Sequence, residues 1–403
     1  MTEPSTARPL WLILLSAGLI VGAAMGLRQC LGLYLRPITM ELGIGREPFS
    51  DAIAVANLLW GLGAVGAGAL ADRYGAAFVA IVGSLASAAG FLLMCYAHSG
   101  TDLMIAGVLL GIGVSGTGIT ALVGAVGRAA PPDKRTAAIA SLGMASGIGG
   151  FLAFPYVHAL IEAFGWKASL IVVAASCASL APLALALRGR GQTAAVIRAQ
   201  SLAGAFREAF ALPSFWLLVT GFFVCGFHVS FYSVHLPAFV QDQGVGVWVG
   251  VWALMAVGLA NIAGTYIAGQ SARFVEKRIS LSVIYAARSV LFLGLLFLPI
   301  TPLTIIGISA LLGLFWLSTI PLTSGLVATF FGTGWMSMLF GFVFLSHQLG
   351  SFAGLWLAGR LYDATHSYQL MWWICAGLGL LAAALNWPIR ERPVARMALA
   401  AAE

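Results

Sequence analysis

The stretch Gly26-Leu27-Arg28-Gln29-Cys30-Leu31-Gly32-Leu33-Tyr34-Leu35 lies inside an apolar run that begins near Leu10, and it sets a permanent positive charge in the middle of that run. A charged side chain at bilayer depth costs at least about 2.5 kcal/mol on insertion scales, so it faces a bundle interior or a water-filled cavity and has a partner or a task. The run is long enough for one helical crossing. Composition points the same way. Hydrophobic residues make up 60% of the chain and charged residues only 9%, where a soluble domain carries roughly 25% charged residues. The chain reads as an all-α integral membrane protein whose 403 residues are almost consumed by spanning helices.

Apolar runs separated by charged, Pro or Gly breaks predict twelve crossings, at 10–36, 50–71, 76–97, 103–127, 137–161, 167–187, 214–239, 247–270, 279–299, 303–327, 335–358 and 368–388. The first run is too long for a cleaved signal peptide and is read as a retained helix. Fifteen Lys and Arg fall on the side of the N-terminus, and four (Arg36, Arg46, Lys167 and Arg360) on the other. This bias places both termini in the cytoplasm. The net charge of +7 thus reflects membrane topology and not nucleic-acid binding. Cys30, Cys95, Cys177, Cys225 and Cys375 all fall in apolar runs without a CxxC pair, so they read as small buried residues, and no metal or cofactor is expected.

The longest polar break divides six crossings from six. It predicts an N-terminal bundle over 1–187, a cytoplasmic linker over 188–213 and a C-terminal bundle with a short tail over 214–403. An amphipathic surface helix is expected at about 201–210 within the linker. The halves also repeat. At an offset of 200, Gly26 falls on Gly226, Arg28 on His228 and Arg73 on Arg273, and at 201 residues 126–151 fall on 327–352. Duplicated halves of this kind place a substrate site near the midplane at the repeat interface.

The segment Gly68-Ala69-Leu70-Ala71-Asp72-Arg73-Tyr74-Gly75 is similar to the G-x-x-x-D-R-x-G motif of the major facilitator superfamily, with Ala76 and Ala77 in place of the two basic residues that usually follow. The chain resembles that superfamily over nearly its whole length. The resemblance implies a fold of twelve helices in two pseudo-symmetric six-helix bundles. It also implies a gating role for Gly68, Asp72, Arg73 and Gly75. Within the superfamily, Gly32 to Ile38, Pro132-Asp133-Lys134-Arg135, and Phe340-Gly341-Phe342 through Ser346-His347-Gln348 resemble the monocarboxylate and oxalate/formate branch. Animal members carry an Asp-x-x-x-Arg pair in helix 8, where Asn261 and Thr265 stand here. The exchanger's helix 11 lysine aligns with His347, and its helix 8 arginine is missing.

All fourteen acidic residues fall at helix ends or in loops. A substrate anion or solvent must therefore supply the counter-charge to Arg28, and histidine is the natural proton carrier. Arg28 is the first candidate for substrate binding, because a guanidinium holds a carboxylate bidentately. His347 and His228 are the next candidates, and both are proton-coupling candidates. Gln29, Tyr232, Asn261 and Arg288 complete the set; Tyr34, Asn57, Trp60, Thr117 and Trp316 are further polar or aromatic residues that could line the cavity. His235, two turns beyond His228, reads as interfacial. Arg288 lies on the ninth crossing, which is peripheral in the superfamily, so a bridge to neighbouring helices competes with substrate contact.

The expected function is secondary transport of a small organic anion, a monocarboxylate above all, in symport with protons or in exchange for another anion. Substrate bound between Arg28 and His347 would let the bundles rock around it. The expected setting is a bacterial inner membrane, with the protein acting as a monomer and without nucleic acid. An exporter of amphiphilic compounds and a non-transporting ligand sensor are the alternatives. No clustered nucleophile, acid or metal-ligand set argues for an enzyme.

Overall fold

The computed structural model of the chain describes residues 9–130, 135–188, 202–332 and 336–394, and every regular element in them is helical. The first crossing is made by α1 (Leu10–Gln29) and α2 (Gly32–Leu42), and the second and third by α3 (Arg46–Tyr74) and α4 (Ala76–Cys95). The fourth is split into α5 (Gly100–Thr117) and α6 (Ile119–Ala129). The 44 residues of α7 (Arg135–Ala178) form two helices that meet at Gly165, enough for two crossings of a ~30 Å hydrocarbon core at 1.5 Å per residue. Gly165, with φ of +78°, turns the chain between them. The sixth crossing ends in α8 (Leu180–Ala184) and a 3-10 turn at Leu185–Leu187.

After the linker helix α9 (Leu202–Phe210) come α10 (Pro213–Asp242), α11 (Val247–Ser271) and α12 (Lys277–Phe297). The tenth crossing is split into α13 (Pro302–Leu314) and α14 (Thr319–Phe331), and α15 (Met336–Thr365) and α16 (Gln369–Asn386) follow. Ten helical segments among the described residues are long and apolar enough to cross a membrane. One of them, Ser141–Leu187, contains two crossings, and the 29-residue α3 supplies the twelfth. The fold is therefore twelve crossing helices in two six-helix bundles.

Three expected crossings are not continuous. At Cys30 and Leu31 the main chain changes to i→i−3 bonding, with Cys30 N donating to Leu27 O at 3.2 Å and Leu31 N to Arg28 O at 3.3 Å. The fourth crossing opens at Gly118, and the tenth between Phe315 and Ser318. Inside a membrane such breaks persist only where side chains or tightened turns satisfy the freed backbone groups.

The chain clusters into two compact units. One comprises Met1–Ile38 and Leu59–Ala194, the other Thr39–Leu58 and Ala195–Glu403. In the first unit, α1 and α7 meet through glycines. A β-carbon on Gly149 would collide with the Gly22 carbonyl, and one on Gly26 with the Gly149 carbonyl. In the second unit α10 and α15 meet the same way. Gly226 abuts the His347 carbonyl, and Gly350 abuts the Phe223 carbonyl. Small residues let helix backbones approach where no solvent drives association. The second core gathers Phe215, Phe222, Tyr285, Phe330 and Trp372 among other large side chains. The expected surface helix is α9, and its Phe206 and Phe210 pack on Phe342, with centroids at 6.3 Å and 5.1 Å. The remainder of the expected linker, 189–201, lies outside the described residues.

Candidate functional site

In the first unit the break in the first crossing sets the position of Arg28. It is the penultimate residue of α1, where a cation complements the negative end of the helix dipole. Its guanidinium carbon lies 4.7 Å from the ring centroid of Trp60 on α3. Gln29 is half-buried beside it. Its amide nitrogen lies 3.2 Å from where a β-carbon on Gly150 would stand, so the glycine leaves the room that the amide occupies. One helical turn into α2, the Tyr34 hydroxyl meets Ser169 Oγ at 2.7 Å.

In the second unit α10 carries His228 and Tyr232 one turn apart. His228 is buried, with Nε2 2.9 Å from the Cys375 carbonyl of α16. A carbonyl only accepts, so Nε2 carries the ring proton and Nδ1 is the unprotonated nitrogen. Nδ1 has no hydrogen-bond partner among the described residues. The ring stands edge-on to Phe292 at 4.7 Å. The Tyr232 hydroxyl meets Ser309 Oγ of α13 at 2.7 Å, and its ring lies 5.7 Å from that of Trp316.

His347 of α15 donates from Nδ1 to Gln348 Oε1 at 2.9 Å, and Gln348 Nε2 donates to the Asn57 carbonyl at 2.9 Å. The imidazole stacks on Phe344, with centroids 5.5 Å apart. The Cys225 thiol of α10 meets Thr319 Oγ1 at 3.3 Å.

Arg288 of α12 and Asn261 of α11 are drawn to the break in the tenth crossing. Arg288 is 1% exposed. Its Nε donates to the Phe315 carbonyl at 3.0 Å, and its Nη2 donates to the carbonyls of both Phe315 and Trp316. Asn261 Oδ1 accepts from Leu317 N at 2.9 Å and from Thr265 Oγ1 at 3.3 Å. One side chain thus serves two carbonyls of the unwound stretch that follows α13, and the other an amide of the same stretch. The sequence reading named both residues but not this break. Its available signal was Ser318-Thr319-Ile320-Pro321, since a proline in the first turn marks a helix start.

Of the gating motif, Gly68 lies within α3 and Gly75 precedes α4, while the side chains of Asp72 and Arg73 lie outside the described residues. So do residues 131–134 of the Pro-Asp-Lys-Arg stretch. All five cysteines are buried thiols outside any disulfide. Among the described residues no cluster of His, Cys, Asp or Glu is placed to hold a metal ion.

Two proteins named "Monocarboxylate transporter 11" are similar to this chain. The one from Mus musculus is 27% identical over 260 residues, covering 62% of this chain and 56% of its own length. The one from Homo sapiens is 26% identical over 258 residues, covering 63% and 54%. The chain thus matches little more than half the length of these relatives. Among solved structures, the nucleoside transporter NupG superposes with a TM-score of 0.78 at 13% identity, covering 94% of this chain and 99% of that one. A bacterial homolog of the human lysosomal transporter Spinster superposes with a TM-score of 0.73 at 15% identity, covering 96% and 97%. These likenesses show the fold. The family model of the Major Facilitator Superfamily matches residues 10–355, nearly the whole described chain, and the protein belongs to that superfamily of membrane transporters.

Proposed function

We propose that this transporter moves a small organic anion of the monocarboxylate class by alternating access, coupled to protons or to exchange of a second anion. The observation that carries the reading is Arg28, a guanidinium at the break of the first crossing, within an apolar spanning helix. The Trp60 ring lies 4.7 Å from the guanidinium carbon, a cation–π distance, and a carboxylate binds a guanidinium at its N–H edge. The similarity to two monocarboxylate transporters supports the same substrate class. Gln29 is proposed as a neighbouring amide contact. His228 and His347 are proposed as proton carriers, each with its own bonding in the second unit. The proposed setting is a bacterial inner membrane with both termini cytoplasmic, following the excess of Lys and Arg on one side.

The test is uptake of a panel of radiolabelled carboxylates into proteoliposomes, with and without a pH gradient. Arg28→Gln should lower uptake of the preferred monocarboxylate by about tenfold to a hundredfold, the worth of one charge-assisted contact. Arg28→Lys should recover part of it. Carboxylate uptake by Arg28→Gln equal to wild type would sink the reading, and flux of lipophilic cations instead would identify an exporter of amphiphilic compounds.

A further inference from the structure

Where the second unit holds the start of α3, four side chains and one main-chain carbonyl close a ring of hydrogen bonds. Arg46, the first residue of α3, is 7% exposed. Its Nη1 donates to the Tyr368 hydroxyl at 2.7 Å and its Nη2 to Asp242 Oδ1 at 2.7 Å. Its guanidinium carbon lies 3.6 Å from the Tyr362 ring centroid. Asp363 caps the helix, accepting from the main-chain N–H of Arg46 at 2.7 Å and of Glu47 at 2.8 Å. His235 of α10 is fully buried beneath them. Its Nδ1 lies 2.9 Å from the Tyr368 hydroxyl and its Nε2 3.3 Å from Ser50 Oγ. The Ser50 hydroxyl donates to the Arg46 carbonyl at 2.7 Å.

A guanidinium only donates, so the Tyr368 oxygen accepts from Arg46, and its own hydrogen is then available to a neutral His235 at Nδ1. The single Ser50 hydrogen goes to the Arg46 carbonyl, so towards His235 the hydroxyl accepts and Nε2 carries the ring proton. The chain runs from Arg46 through Tyr368, His235 and Ser50 back to Arg46, and with a neutral imidazole every hydrogen along it has an acceptor. A proton added at Nδ1 meets the hydrogen of Tyr368, turns an acceptor into a donor, and places a second cation beside the guanidinium.

We propose that His235 is a proton-binding site, and that its protonation releases residues 46–58 from α10, α15 and α16. The ring is intact at neutral and alkaline pH and is lost as pH falls. The other charged and titratable groups facing it are Glu47 and Asp51 on α3, Asp242 on α10, and Arg360, Tyr362 and Asp363 on α15. Glu47 and Arg360 already pair at 2.7 Å.

Hydrogen–deuterium exchange of the full chain in lipid nanodiscs tests it without any substrate. Exchange of residues 46–58, corrected for the intrinsic chemical rate, is compared at about pH 8 and about pH 5.5, either side of the usual histidine range near ~6.5. In wild type the protection should fall about tenfold or more at the acid pH. In His235→Asn, which keeps an acceptor near Nδ1 but cannot be protonated, protection should not change with pH. His235→Gln serves the same purpose if that variant does not fold. Wild-type protection that is equal at both pH values overturns the proposal. So does an acid-induced fall that persists in the neutral variants, since it would belong to the surrounding carboxylates.

Discussion

Replacing Arg288 with methionine is expected to lower the thermal unfolding midpoint of the purified protein by the equivalent of about 2–4 kcal/mol, because it orphans two buried carbonyls at about 1–3 kcal/mol each. Methionine fills similar space but donates nothing to Phe315 O or Trp316 O. An opposing effect exists. The guanidinium is itself a buried charge, with Nη1 unbonded among the described residues. Swapping a buried ion pair for well-packed apolar groups is often neutral. Here, though, the partners are main-chain carbonyls of an unwound stretch, and apolar replacement of the arginine cannot remove them. They lie within a spanning segment, where freed backbone groups have to be met by the protein, so their loss dominates.

Arg288→Lys should recover part of the midpoint, since an ammonium can serve the carbonyls without the fork geometry. Asn261→Ala should cost less, about 1–3 kcal/mol for the one Leu317 N–H that it leaves unpaired. The double variant should fall short of the sum, because both side chains act on one segment. A midpoint unchanged in Arg288→Met, together with lost uptake, would instead put Arg288 in the substrate path.

The twelve crossings were legible because each is an apolar run of sufficient length between charged or turn-forming residues. Only the count of continuous helices misled. Cys30-Leu31 and Phe315-Trp316-Leu317 are as apolar as the helices they interrupt, so hydropathy carries no mark of the breaks. At Phe315-Trp316-Leu317 the freed backbone groups are met by side chains of α11 and α12, and at Cys30-Leu31 by i→i−3 bonds of the main chain itself. For the same reason Arg28, Asn261 and Arg288 could be picked by residue type alone, whereas what each touches could not. Trp60 lies over Arg28 from another helix, and the partners of Arg288 lie 27 and 28 residues away. From the sequence His235 reads as interfacial, and its neighbours in the chain give no sign of the ring it joins. Its ring is assembled from α3, α10 and the N-cap of α16, which only the folded chain brings together.

Gly149→Ala and Gly350→Ala are expected to damage the two bundles alike, each lowering stability by about 1–3 kcal/mol through overpacking. At both positions an added β-carbon falls onto a carbonyl of the facing helix, that of Gly22 in one unit and that of Phe223 in the other. Main-chain atoms inside a helix cannot move aside as a flexible side chain can, so α1 must separate from α7, and α10 from α15. The two positions are related by the offset of 201 that aligns residues 126–151 with 327–352, so the close crossings are copies of one contact. Leucine at either position should prevent folded protein from accumulating. Helix propensity predicts the opposite sign, since alanine is favoured over glycine in a helix interior by roughly 0.5–1 kcal/mol. Gly143 and Gly341 separate the two effects, because each lies in a helix with nothing within 4 Å of an added β-carbon. Alanine there should leave the midpoint unchanged or raise it slightly. Thermal unfolding of the four variants by fluorescence-detected size-exclusion chromatography decides the matter. A fall in Gly143→Ala as large as that in Gly149→Ala would show that the glycines matter for backbone freedom and not for the close approach of the helices.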